Sequence, residues 1–557
     1  MLDKPSHPDD ETTLPFIGRV LAHSPGQSIS IERTLDLEED LLLADHIFVH
    51  APGVKPVFAC LPVAPMTVSL EIMAETAACL APGAGLIGLE NVKASRWIDF
   101  PDAETLTLRI DASRLGFDPQ SGVRRVAASI RAEGEASPRI SAEFLFAQSY
   151  FLNLSFDFNE LSNPHPFEMT AERIYEKRFL FHGPSFQCLV GEILLGDAGA
   201  VGELLVQSTS GLFRALRQPQ FLIDPVLLDG VGQLVGVWAM ERDRDVFPIG
   251  IEKLELYRPA PPAGTRVAVR AEIIADGAKT LRANIEVQDG AGGVWMRIEG
   301  WTKWKFRPEP RFVQFRRAPT RRLLSLPREL PGLAAGAVCQ MFAAADLSTF
   351  DAGLLARFYL HMEEMPEFAA KAELRPRQRQ WLFGRIAAKD AARAFLSRRE
   401  GVEVLLHPAS FVVAKDARGQ PMVRRESGEA LPVHVSIAHC EDRAIAIAHE
   451  RPVGVDIERI RPRDPAFLAS IATKAEQALL EAQGATPEQR AEWITRLWCA
   501  KEAAGKTTGA GVDGAPTQFE AKAVSEDGAF QVLPRGGAET IPVATLRDGD
   551  FIIAHTG

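Results

Sequence analysis

None of the six cysteines (Cys60, Cys79, Cys188, Cys339, Cys440, Cys499) belongs to a CxxC pair. That argues against a zinc site or a disulfide framework and for a reducing compartment. No run of about 18 apolar residues occurs, so no membrane span is expected. Met1 to Glu11 is polar and lacks an apolar signal core, so the expected localisation is cytoplasmic. Basic charge is also short: 62 Lys and Arg against 73 Asp and Glu give −11. A net acidic chain has no overall pull toward nucleic acid or a membrane surface, although a local basic pocket for a phosphorylated ligand is not excluded.

What is present is enough for several cores. At roughly 150 residues per domain, 557 residues correspond to three or four folding units. Residues 15–151 read as strands around 106–110, 123–131 and 140–146, with one helix over 66–80 that is apolar on most of its circumference. Residues 166–306 repeat that layout, with strands around 201–206, 266–274, 281–287 and 294–304 and a second apolar helix over 225–240. Two successive segments of this kind suggest a duplicated α+β unit. Residues 305–328 hold four prolines and seven arginines and read as an interdomain linker. Beyond 336, helices (378–399, 487–506) and short strands (433–438, 444–448) mix.

Two constellations carry chemistry. In the first, Asp45-His46 precedes a Pro/Gly loop and the apolar helix. Asp229 and Gln233 stand four apart, on one face of the second apolar helix. A carboxylate in such surroundings is costly to bury without a task. Desolvation is expected to raise its pKa and keep it protonated, as suits a general acid. In the second, Asp456 and Glu458 lie at i and i+2, on one face of a strand, a spacing that suits Mg²⁺. Glu502 and Lys506 lie at i and i+4 on a helix, beside Lys501, a mix that fits a metal–pyrophosphate site.

Leu43-Ala44-Asp45-His46 with Leu61-Pro62-Val63-Ala64-Pro65-Met66, Phe181-His182-Gly183-Pro184-Ser185-Phe186-Gln187, Asp224-Pro225-Val226-Leu227-Leu228-Asp229 with Gln233, and Phe247-Pro248-Ile249-Gly250-Ile251-Glu252 resemble, in order, the motifs of polyketide synthase dehydratase domains. His182 stands where that family has Tyr, and His50 stands where it usually has Gly, which admits His50 as a rival base. The resemblance implies a double-hotdog fold. It also implies water loss from a 3-hydroxyacyl thioester on a carrier protein, with His46 removing the C2 proton, Asp229 protonating the 3-hydroxyl and Gln233 orienting it. The start of the first helix, near residues 63–67, could aim N–H groups at the thioester oxygen. The alternatives are a non-catalytic thioester-binding or docking module, or a thioesterase.

Gly454-Val455-Asp456-Ile457-Glu458, Trp498-Cys499-Ala500-Lys501-Glu502-Ala503-Ala504-Gly505-Lys506, Ser436-Ile437-Ala438-His439 and the helix around Trp381 to Lys389 resemble 4′-phosphopantetheinyl transferases of the two-lobed type. That resemblance assigns Asp456, Glu458 and Glu502 to Mg²⁺, and Lys501 and Lys506 to the pyrophosphate of coenzyme A. It assigns Ser436 and His439 to the phosphates, Arg385 and Lys389 to the nucleotide, and Glu476 to the acceptor serine as base, with Glu502 as the alternative. Gln420 replaces a usual Lys in Gly419-Gln420-Pro421.

The expected architecture is α+β: a polar tail (1–15), dehydratase hotdog 1 (16–160), hotdog 2 (161–306), a linker (307–339) and a two-lobed, pseudo-symmetric α/β transferase (340–557). The combination resembles the C-terminal part of iterative, enediyne-type polyketide synthases. The expected partners are an acyl carrier protein with its thioesters and coenzyme A, and the dehydratase region could also support a homodimer.

Overall fold

A computed structural model describes residues 14–49, 56–100, 103–152, 160–307, 309–347, 351–483, 486–509, 511–512 and 514–557. Two compact units part near residue 308.

The first unit is one continuous antiparallel sheet around two buried helices. Arg19–Ser24, Ser28–Asp36, Thr105–Phe117, Arg124–Ala132, Ile140–Ala147 and Gly85–Ala94 pair in that order. Gly85–Ala94 then pairs with Asp245–Leu256, and the sheet continues through Val294–Phe306, Thr280–Gln288, Arg266–Asp276, Gly199–Leu205, Leu189–Gly196 and His165–Pro166. Glycines make the junction of the two halves close. A Cβ at Gly88 would lie 2.4 Å from the Leu254 carbonyl oxygen, and one at Gly250 would lie 2.7 Å from that of Val92. Helix Met66–Ala78 packs on the strands of the first half, Pro225–Met240 on those of the second, and the two helices touch each other. This is the double-hotdog arrangement that the resemblance implies, and it agrees with the duplicated α+β pattern. The second helix begins where its sequence says it should: Asp224 accepts from the Val226 and Leu227 amides, and Pro225 occupies the first turn.

The first helix is not wholly apolar. Glu71 and Glu75 are fully buried on it. Glu71 accepts from the Leu222 and Ile223 amides at 2.7 Å each, and Glu75 Oε2 accepts from the Phe16 amide at 2.8 Å. Burial pushes the Glu71 carboxyl up to about 8 and that of Glu75 well above the usual range.

The second unit has two lobes, each a sheet with one long helix. In the first lobe Leu326–Pro327, Val338–Ala343, Arg443–His449, Ala430–Cys440, Pro421–Arg425 and Phe411–Lys415 pair in order against helix Arg375–Glu400. In the second, Val455–Arg459, Phe551–Thr556, Ile541–Asp548, Phe530–Pro534 and Phe519–Val524 pair against Pro487–Thr508. The segment expected to be a linker is instead part of this unit. Pro310–Arg317 is a helix that buries Phe312 and Phe315, and Phe315 stacks on Tyr359 at 4.8 Å. Leu324 and Ser325 donate their amides to the buried Asp390. The arginines suggested a solvated connection, but the aromatic pair spaced i, i+3 among them supplies an apolar face.

Candidate active sites

In the first unit, His46 follows the short turn Leu41–Asp45, and residues 46–49 pair with residues 60–63. His46 is buried, and its Nδ1 lies 2.7 Å from the Val63 carbonyl oxygen. A carbonyl can only accept, so Nδ1 carries the hydrogen and Nε2 keeps its lone pair. Burial pulls the imidazolium down to about 4, and His182 adds to the effect. His46 is therefore neutral near pH 7, as a base must be. The rival base, His50, lies outside the described residues.

Asp229 comes from the other half, on helix Pro225–Met240. Its Oδ2 accepts from Gln233 Nε2 at 2.9 Å and lies 3.1 Å from His182 Nε2. Gln233 is itself fixed: its Nε2 also donates to the Phe186 carbonyl at 2.9 Å, and its Oε1 accepts from the Tyr175 hydroxyl at 2.5 Å. His46, His182 and Asp229 each place one ring nitrogen or carboxylate oxygen within 4.8 Å of the others. The two halves thus deliver a neutral imidazole and a carboxylate to one point.

The expected ionisation of Asp229 needs correction. Burial alone would raise its carboxyl, but the charge and hydrogen bond of His182, helped by His46 and Gln233, hold it well below the usual range. His182 is the partner the sequence argument did not count. Its place is set by Asp45, whose carbonyl accepts from the Gly183 amide at 2.6 Å and whose Oδ2 accepts from the Ser185 amide at 2.9 Å. Gly183 is required for that approach: a Cβ there would lie 2.5 Å from Asp45 Oδ1. Lys303 was also missed. It is buried, donates to the Gly232 carbonyl at 2.9 Å and lies over the Trp301 ring at 4.9 Å. Burial draws it down to about 8, partly offset by Asp229. A lysine two residues after a tryptophan, on the inward face of a strand, was the available signal.

Aromatic rings continue from this point outward. Phe181 stacks on His182 at 4.3 Å and on Phe48 at 4.3 Å, and Phe48 reaches Trp97 and Phe247.

In the second unit, close passage of a strand over a helix builds the site. A Cβ at Gly454 would lie 1.8 Å from the Ala503 carbonyl oxygen, so only glycine lets this strand lie on the helix. That contact brings Asp456 and Glu458 beside Glu502 and Lys506. Burial and Asp456 raise the Glu458 carboxyl, and burial with Asp456 and Glu458 pushes Glu502 up to about 7 against the pull of Lys506. Lys506 Nζ lies 2.8 Å from Asp456 Oδ1 and donates to the Val455 carbonyl at 2.9 Å. Asp456 Oδ2 is buried with no N–H or O–H donor. Three carboxylates, one with an orphaned oxygen, are a donor set that fits a hard divalent cation.

A cleft of about 1050 Å³ adjoins this cluster, and its lining includes Arg385, Arg418, Ser436, His439, Arg451 and Lys506. Gln420 lines it too, where the sequence lacks the usual Lys. Ser436 Oγ accepts from the Val455 amide at 3.0 Å, and His439 is exposed. Arg385 stacks over Trp381 at 4.6 Å and has Glu364 and Glu367 at 3.4 and 3.5 Å.

Three expected positions belong neither to the carboxylate cluster nor to the cleft lining. Lys501 is fully buried; its Nζ meets Glu476 at 2.7 Å and the Ile471 carbonyl at 2.6 Å. Glu476 is equally buried and also accepts from the Thr473 and Ala521 amides at 2.7 Å each. Lys389 is buried against Glu364 at 2.5 Å and the Pro408 and Phe411 carbonyls at 2.8 Å each. These corrections share one cause: all three side chains spend their polar atoms inside the fold.

Sequence comparison follows the same division. Residues 159–309 match the polyketide synthase dehydratase N-terminal domain family, and residues 452–553 match the 4′-phosphopantetheinyl transferase superfamily. A 4′-phosphopantetheinyl transferase psf-1 from Bacillus pumilus is 33% identical over 118 residues, 21% of this chain. The chain spans 48% of that curated relative's length. Similar solved structures include the dehydratase domain from the CurF module of curacin polyketide synthase, at 20% identity and TM-score 0.38, covering 53% of this chain and 99% of that one. Another is a trans-AT polyketide synthase dehydratase domain from Brevibacillus brevis, at 16% identity and TM-score 0.40, covering 53% and 99%. Among the described residues no helix is long and apolar enough to cross a membrane. The chain carries a polyketide synthase dehydratase domain followed by a 4′-phosphopantetheinyl transferase domain.

Proposed function

We propose that the protein is bifunctional. The first unit converts a 3-hydroxyacyl thioester, held on an acyl carrier protein, to the 2-enoyl thioester. The second transfers 4′-phosphopantetheine from coenzyme A to a carrier-protein serine. The observation that carries the first activity is the meeting of His46 and Asp229 from opposite halves. His46 Nε2 removes the C2 proton, and Gln233 orients the carboxylate of Asp229 toward the departing 3-hydroxyl. A module that only binds thioesters needs no buried neutral base beside a part-buried carboxylate, so that alternative is not favoured.

The observation that carries the second activity is the orphaned Asp456 oxygen beside Glu458, Glu502 and a basic cleft. Asp456, Glu458 and Glu502 would hold Mg²⁺, which when bound offsets the charge of the pyrophosphate. Lys506, Ser436, His439 and Arg385 line the space for the phosphates and nucleotide of coenzyme A. The serine hydroxyl attacks the β-phosphate and 3′,5′-ADP leaves. With Glu476 committed to Lys501, the alternative base Glu502, in the carboxylate cluster with Asp456 and Glu458, accepts the serine proton.

One experiment on the intact chain reads both activities. A carrier protein incubated with coenzyme A and Mg²⁺ gains the mass of one phosphopantetheine arm, and a 3-hydroxyacyl carrier loses one water. No mass gain on any carrier overturns the transferase reading. No dehydration, under conditions where a related dehydratase turns over, overturns the other; release of free acid would indicate a thioesterase.

A further inference from the structure

The dehydratase reading leaves a problem at Asp229. A general acid must hold a proton until the leaving group takes it, yet this carboxyl lies well below the usual carboxylate range. Besides the Gln233 amide at 2.9 Å, the donor on this carboxylate is the His182 ring, with Nε2 3.1 Å from Asp229 Oδ2. The His182 ring is buried, it is stacked on Phe181 at 4.3 Å, and its turn is clamped to Asp45. Its Nδ1 is buried without a hydrogen-bond partner, so Nε2 is the ring atom engaged with the site. The charged or titratable groups facing Asp229 are His46, His182 and Lys303, with Tyr175 and Cys188 further behind.

Resting on the dehydratase reading, we propose that the proton given to the departing hydroxyl is held by the His182–Asp229 pair and not by Asp229 alone. His182 is then a positioning residue that acts through Asp229. The balance closes. His46 Nε2 takes the C2 proton, and the electrons of that C–H bond form the C2–C3 double bond. The C3–O bond breaks, and the hydroxyl leaves as water with the proton of the pair. His46 now holds one extra proton and the pair one fewer. His46 and His182 rings have centroids 5.2 Å apart, close enough for the released water to return the proton from one to the other. The enzyme ends unchanged.

The test is His182→Gln, which keeps an N–H donor but cannot titrate. Expected are a KM close to wild type, a kcat at neutral pH lower by at least about tenfold, and an alkaline limb of kcat/KM moved down by at least about one pH unit. A wild-type kcat and pH profile would overturn the proposal, because a purely orienting donor is replaced by glutamine without such a shift. If the variant is inactive, binding of a 3-hydroxyacyl-pantetheine ether analogue decides. Retained affinity supports the pair, and lost affinity means that His182 only holds the site together. Failure of the wild-type enzyme to dehydrate at all would sink the dehydratase reading instead.

Discussion

Lys506 Nζ stands 2.8 Å from Asp456 Oδ1 while the other oxygen of the same carboxylate has no N–H or O–H donor. One oxygen is thus neutralised within the chain, and the other is the one proposed to meet a cation. Asp456→Ala removes both arrangements. Its phosphopantetheinylation rate should fall by at least about 10²-fold, with far-UV circular dichroism and dehydratase activity unchanged. Mass spectrometry of the carrier measures it, and retained modification would sink the metal assignment.

Asp229→Asn should separate the two activities. The amide keeps the shape of the carboxyl but removes the negative charge next to His182 and the proton-carrying oxygen. Dehydration should drop by about 10²- to 10⁴-fold while carrier modification by the same preparation is unaffected. Equal loss of both would mean that the substitution acts on folding.

The pH dependence of dehydration follows from His46. Its pKa is lowered to about 4, so the ring is unprotonated, and competent as a base, above that value. Activity should persist through pH 5 to 6 and be lost as pH falls through about 4, below the ordinary imidazole value of about 6.5. A pH-jump assay of kcat/KM reads this limb directly. An acid limb near 6.5 would place the base on an exposed histidine.

Lys501→Met tests whether the buried pair is structural. Removing one partner leaves Glu476 without its ion-pair partner inside the second lobe, at a cost of about 3–5 kcal/mol. Denaturant unfolding should show that loss, and the double variant Lys501→Met/Glu476→Leu should recover part of it. Activity per folded molecule should stay within about threefold of wild type, since transition-state contacts to phosphate lie elsewhere. A catalytic lysine would instead lose activity with little change in stability.

Much of the architecture is legible in the chain because two helices are apolar on nearly every face. Such a helix has to be enclosed, and the one at Pro225–Met240 is found where its proline and aspartate mark its start. The strand pattern survives for the same reason, since alternation reports a half-buried sheet. Site residues are less legible, because residue type does not report solvent access. Lys501 and Glu476 look like reagents in sequence, yet they form a sealed pair. Asp229 looks like an isolated carboxyl, although its partner His182 is supplied by a turn 47 positions earlier in the chain (229 minus 182). Arginines around 307–322 concealed the aromatic side chains that fold that stretch into the second unit.

The buried Glu71 deserves to be read as a clasp between duplicated halves. It sits on the helix of the first hotdog and receives two amides from the segment that leads into the helix of the second. Neither half can therefore be cut out and expressed alone without stranding a carboxyl in an apolar helix or leaving two amides bare. Exchange of hotdogs between related dehydratases has to carry both sides of this clasp together. The repeat, although it looks divisible, is built as one piece.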